Sequence, residues 1–192
     1  MKVIQIKGAN GTGKTTLVKD LISLSSDILL YIWQDNGKVF ATGMEDLGWI
    51  AIGEYKQEKK MGGCDCMKSI AEIKQAIDYC RKLDYRYLVF EGAMISTIKS
   101  TFYDYLINDN PLYVMLVSSL TGCMDRIASR GTKPGVLKGS DNIKAKIRCI
   151  ERQIEVYNPK YVRIINVDKT PREAMLKAFL EAVGDKELLK QV

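Results

Sequence analysis

The order of apolar and polar positions divides the chain into short runs joined by turns. Residues 2–7 alternate like a strand, and residues 16–22 repeat apolar side chains at helical spacing. Residues 28–33 read as a strand and Asp35-Asn36-Gly37 as a tight turn. Residues 38–42 and 47–55 add two more strand-like runs, so a β-meander follows the first helix. Residues 56–67 are polar and glycine-bearing, as in a loop facing ligand or solvent. Residues 69–82 carry Ile70, Ile73, Ile77 and Cys80 on one helical side. A buried strand at 87–90 ends in Glu91-Gly92, residues 95–107 fit a helix, and a second buried strand runs over 113–117. Thr121 is placed to cap a helix reaching Arg130, a Gly-, Lys- and Ser-rich loop covers 131–140, and a long helix starts at Asp141. A last strand at 163–167 precedes a helix opened by Pro171. Strands alternating with helices predict an α/β fold of three layers. The expectation is one domain over residues 1–192, with a mostly parallel five-stranded sheet, helices on both faces, and the meander (30–68) as a small insertion.

Composition narrows the class. A chain of 192 residues suits one domain. No run of 18 apolar residues occurs, so neither a membrane span nor a membrane partner is expected. A strand starts almost at once, so no signal peptide is expected. Five scattered cysteines fit a reduced cytoplasm, the host's if the protein is viral. The lack of histidine excludes a Ser-His-Asp triad and any histidine metal site. Cys64-Asp65-Cys66 has no second cysteine pair at ligand spacing, which argues against zinc. The formal charge of +6 favours polyanionic partners, although any phosphate-handling enzyme needs cations.

Chemistry enters with Gly8-Ala9-Asn10-Gly11-Thr12-Gly13-Lys14-Thr15, which fits G-x-x-x-x-G-K-[ST] between a strand and a helix. This phosphate-binding loop (P-loop) turns backbone N–H groups inward on phosphate oxygens, and the helix N-terminus adds its dipole. The pattern predicts a nucleoside triphosphate, ATP, held by Gly8, Asn10, Gly11, Thr12, Gly13, Lys14, Thr15 and Thr16. Lys14 is expected on the β- and γ-phosphates, Thr15 on Mg²⁺ and Thr16 at the α-phosphate. Glu91 is delivered by a hydrophobic strand to the edge where ligands of parallel sheets gather. It can order Mg²⁺ or accept a proton from an acceptor hydroxyl.

Arg126 and Arg130 share a helix face, followed by Lys133, Lys138 and Arg148. The stretch resembles the lid of small P-loop kinases, which implies one arginine near the adenine, another on the phosphates, and a flap at 131–140 that excludes water. In those kinases the loop after the last strand passes the base. Here that loop is Val167-Asp168-Lys169-Thr170, with Lys169 as a cofactor-binding candidate.

The first arginine is Arg81, whereas nucleoside monophosphate kinases hold the acceptor phosphate with an earlier one. Residues 30–68 offer instead Lys38, Lys56, Lys59, Lys60 and Lys68 with Tyr31, Trp33, Phe40, Trp49 and Tyr55. Such a set suits a stacked base beside a phosphate backbone, or simply a core. Ile52-Gly53-Glu54-Tyr55, Gly62-Gly63-Cys64-Asp65 and Phe90-Glu91-Gly92 together resemble a group of bacteriophage P-loop kinases. Among these are enzymes that phosphorylate the hydroxymethyl group of 5-hydroxymethyluracil within DNA. The resemblance implies a modified DNA base as acceptor and Asp65 as its general base. Phosphorylation of free deoxynucleoside monophosphates, or nucleotide-driven switching without an acceptor, are the competing expectations.

Overall fold

The central strand β1 (Lys2–Gly8) leads through the glycine loop into α1 (Lys14–Ile22). The meander follows as β2 (Ile28–Ile32), β3 (Val39–Met44) and β4 (Trp49–Ile52). Next come α2 (Ile70–Cys80), β5 (Tyr87–Glu91), α3 (Ser100–Leu106) and β6 (Leu112–Val117). The chain ends through α4 (Leu120–Ala128), α5 (Ser140–Val156), β7 (Val162–Asn166) and α6 (Met175–Val183). The computed structural model describes residues 1–56, 62–97, 100–129 and 140–192.

The strands form one mixed sheet of seven, in the order β2-β3-β4-β5-β1-β6-β7. This replaces the five-stranded sheet with a meander beside it. β4 pairs in parallel with β5, Trp49 opposite Tyr87, while β2 and β3 extend the edge antiparallel. All four residues of β4 are buried. A strand apolar on both sides belongs inside a sheet covered on both faces.

One face packs under α1 and α6, where Ile4, Ile6 and Val89 meet Leu17, Leu21 and Phe179. The other lies under α2 and α3, where Val3, Ile50 and Phe90 meet Ile73, Ile77 and Phe102. α5 covers Tyr113 and Met115 of β6 with Ile150. The alternation in β1 has a consequence that its sequence hides. Gln5 and Lys7, the polar partners of Ile4 and Ile6, are fully buried. Both reach the Ile95 carbonyl, at 3.4 Å each, and Lys7 lies 5.7 Å from the Tyr157 ring centre. Burial pulls the Lys7 ammonium down to about 7.

Helix starts follow local capping chemistry. Ser69 caps α2 by accepting the Glu72 N–H at 3.1 Å. Ser119, rather than Thr121, caps α4 through the Gly122 N–H at 3.0 Å. Residues 93–97 form turns instead of helix, and within them Ser96 donates both its N–H and its hydroxyl to the Gly92 carbonyl. Pro171 opens a short 3₁₀ turn, Arg172–Ala174, ahead of α6. Most of the expected lid, with Arg130, lies outside the described residues, and so do Lys59 and Lys60.

Trp49 is fully buried, stacks on Tyr87 with ring centres 4.4 Å apart, and donates its indole N–H to Asp185 Oδ2 at 2.9 Å. Asp185, itself buried, also accepts the Leu188 N–H. Asp185→Ala is expected to cost about 1–3 kcal/mol by stranding these buried donors, read as a lower urea midpoint.

Candidate active site

The glycine loop and two carboxylates from different segments line one cavity of about 840 Å³. Gly11 and Gly13 take positive φ of 86° and 87°, turning the loop into α1. Lys14 is buried and donates to the carbonyls of Gly8 at 3.0 Å and Ala9 at 3.1 Å. Burial lowers the pKa of its ammonium, while the negative charges of Glu91 and Asp65 pull it back up.

Glu91 stands at the end of β5, in register with Ile6 of β1. Its Oε1 accepts the Thr15 hydroxyl at 2.9 Å, and its Oε2 is buried without a hydrogen-bond partner. Burial pushes the carboxyl up to about 7, opposed by Lys14 and by the Thr15 bond. Asp65 sits on the short turn Cys64–Cys66 and accepts the Ala93 N–H with both oxygens, at 2.9 and 3.0 Å. Its carboxylate is half-buried and lines the same cavity.

The two acidic motifs interlock through missing side chains. A Cβ on Gly63, which has φ of 61°, would lie 2.6 Å from Glu91 Oε1. A Cβ on Gly92 would lie 3.0 Å from Asp65 Oδ1. Each carboxylate therefore rests over the glycine of the other motif. Glu54 and Gly63 form a bridge that brings Ile52-Gly53-Glu54-Tyr55 into the same knot.

On the other side of the loop, a groove of about 240 Å³ runs between Thr12, Thr16, Arg126, Val167, Arg172 and Met175. Arg126 donates from Nε to the Gly11 carbonyl at 2.8 Å, and from Nη2 to Ser118 and to Asp168, the latter at 3.0 Å. Partial burial opposes the Asp168 charge, but the Ser119 N–H, the serine hydroxyls and Arg126 outweigh it and hold the carboxyl well below its usual range. Lys169 is exposed on the turn after β7 and lines neither the cavity nor the groove. Residues that sequence reasoning missed include Asp168 as the partner of Arg126, Arg172 in the groove, and Lys146, whose Nζ donates to Asn10 Oδ1 at 3.1 Å. No local motif marks any of them. Among the described residues, no helix is long and apolar enough to cross a membrane.

A strand, a glycine loop and a helix, with an acid from the adjacent strand on the loop's hydroxyl, are the parts of a P-loop protein that handles a nucleotide's phosphates. A family model described as 5-hmdU DNA kinase matches residues 2–153. A 5-hmdU DNA kinase of Pseudomonas phage M6 is 31% identical over 196 residues, covering 96% of this chain and 100% of that protein. The chain belongs to the 5-hmdU DNA kinase family, and it is a kinase. Among solved structures, deoxyadenosine kinase from M. mycoides with bound dATP superimposes with a TM-score of 0.49 at 13% identity, over 95% of this chain and 99% of that one. The same enzyme with bound dCTP has a TM-score of 0.49 at 13% identity, over 96% and 100%.

Gly63→Ala forces a side chain against Glu91 in a strained backbone. It is expected to destabilise by about 1–3 kcal/mol, checked by thermal melting. Glu91 also imposes a pH signature. Its folded pKa of about 7 exceeds the ordinary 4.5, so its contribution to stability is full below about 4.5 and is lost as pH rises through 7. Unfolding measured from pH 4.5 to 8 should show the wild type falling relative to Glu91→Gln, on the order of a few kcal/mol.

Proposed function

We propose that this chain transfers the γ-phosphoryl group of ATP to the hydroxymethyl group of 5-hydroxymethyluracil in DNA. The observation that carries the reading is the family match over residues 2–153, a span that includes every residue lining the large cavity. In this reading the triphosphate lies along the glycine loop, and Gly8, Asn10, Gly11, Thr12, Gly13 and Thr16 shape its cradle. Lys14 exchanges its two carbonyl partners for β- and γ-phosphate oxygens, which are stronger acceptors. The base of ATP takes the smaller groove, between Arg126 and Arg172.

Thr15 and Glu91 would hold Mg²⁺. The fit rests on a buried, unpartnered carboxylate oxygen beside a hydroxyl, the hard oxygen donors such an ion takes. Among the described residues no group of three or more Cys, Asp or Glu forms a metal cage, so phosphate and water would complete its shell. When bound, the ion supplies positive charge to the phosphate oxygens.

Asp65 serves as the general base. The N–H of Ala93 orients its carboxylate at the cavity wall, while Glu91 is committed to Thr15. The acceptor oxygen attacks the γ-phosphorus, the bond to the ADP oxygen breaks, and the hydroxyl proton passes to Asp65. A base within duplex DNA must leave the stack to enter the cavity.

Labelled ATP and DNA containing 5-hydroxymethyluracil, followed by nuclease digestion, test the reading. Label is expected on the base hydroxymethyl group. Label confined to free deoxynucleotides would replace DNA by a monophosphate acceptor, and phosphate release alone would remove the acceptor altogether. Lys14→Ala should abolish transfer. Asp65→Asn should bind ATP like the parent and lose about 10²–10⁴-fold in turnover.

A further inference from the structure

Beside the Lys14 ammonium, the large cavity has a second, half-buried one, supplied by α5 where it packs on the glycine loop. α5 presents Asn142, Ile143 and Lys146 to it. Ile143 is buried with Ala9 and Cys123, which seats this turn of α5 on the loop. Lys146 Nζ then meets Asn10 Oδ1 at 3.1 Å, joining positions far apart in the chain. After burial and the attraction of the two carboxylates, the Lys146 charge is felt at Lys14 and opposes it.

Two ammonium groups facing one cavity repel each other unless an anion lies between them. Arg126, one of the two arginines that the sequence offers for the adenine and the phosphates, is tied to Gly11, Ser118 and Asp168 and lines the smaller groove. The other described lysine lining the cavity, Lys68, is exposed. Lys146 is half-buried, and its present partner is a neutral amide oxygen. A phosphoryl oxygen competes well against such a partner, because a bond between two charged groups is roughly twice as strong.

We propose that Lys146 is a catalytic residue of phosphoryl transfer, leaving Asn10 to bind the γ-phosphoryl oxygens together with Lys14. This rests on the kinase reading above. Charge in the transition state spreads over three equatorial oxygens, so two cations stabilise it better than one. Lys146 exchanges no proton. The forming bond joins acceptor oxygen to phosphorus, the breaking bond releases ADP, and Asn10 holds the ammonium between turnovers.

Lys146→Met keeps the aliphatic stem and removes the charge. Turnover at saturating ATP and DNA is expected to fall about 10²–10³-fold, ADP affinity to change by less than about threefold, and Lys146→Arg to regain at least about tenfold over Met. Turnover of the Met variant within about threefold of the parent overturns the proposal, as does loss of ADP binding in step with turnover, which marks a structural role. If the Met variant does not melt cooperatively, Lys146→Gln is read by the same criteria. A parent that phosphorylates no DNA defeats the acceptor reading without deciding Lys146. The residue is then judged on the preference for a non-hydrolysable ATP analogue over ADP. That preference should collapse in the variant if Lys146 meets the γ-phosphate, and an unchanged preference overturns the proposal.

Discussion

The hydrogen bond from the Thr15 hydroxyl to Glu91 Oε1, 2.9 Å long, joins the first turn of α1 to the end of β5. It is possible because β1 and β5 are parallel neighbours, so their carboxyl ends reach the same edge of the sheet. Glu91 is fully buried, and an isolated carboxylate there would be costly. Lys14 offsets part of that cost, and the same burial works against the Lys14 ammonium. Each charge eases the burial of the other. Asp65 adds a second negative charge to the balance, held by the main-chain N–H groups of Ala93 and Met94.

The meander shows how one composition serves two different ends. Its aromatics and lysines together suit a surface for stacking bases, yet most of the aromatics are spent on packing. Trp33 stacks on Phe40 with ring centres 4.0 Å apart, and Phe40 and Trp49 are buried. Tyr55 is buried as well, with its hydroxyl on the Ile52 carbonyl. The wall of the cavity facing the loop comes instead from Cys64, Asp65, Met67 and Lys68, with Ala93 and Met94.

What the chain declares locally could be read before folding. The glycine loop is such a case, because Lys14 and Thr12 bond to carbonyls within the loop itself. Glu91 was legible because an apolar strand that ends in an acid delivers that acid to the carboxyl edge of a parallel sheet. Lys146 on Asn10 and Arg126 on Asp168 were not, since each depends on elements far apart in the chain. The buried face of β1 was hidden for another reason. Alternation normally marks a solvated side, but here Gln5 and Lys7 are interior residues, with the Ile95 carbonyl and, for Lys7, the Tyr157 ring beside them. The strand count changed because β4, read as part of a separate meander, joins β5.

The mutual nesting of Gly63 under Glu91 and Gly92 under Asp65 makes these two stretches a single inheritable part. A graft that moved one of them into a related enzyme would bring a carboxylate up against whatever side chain the recipient carries at the matching glycine. Recombination aimed at a new acceptor therefore has to carry residues 53–65 and 91–94 as one cassette, although more than two dozen residues of chain, including a whole helix, lie between them.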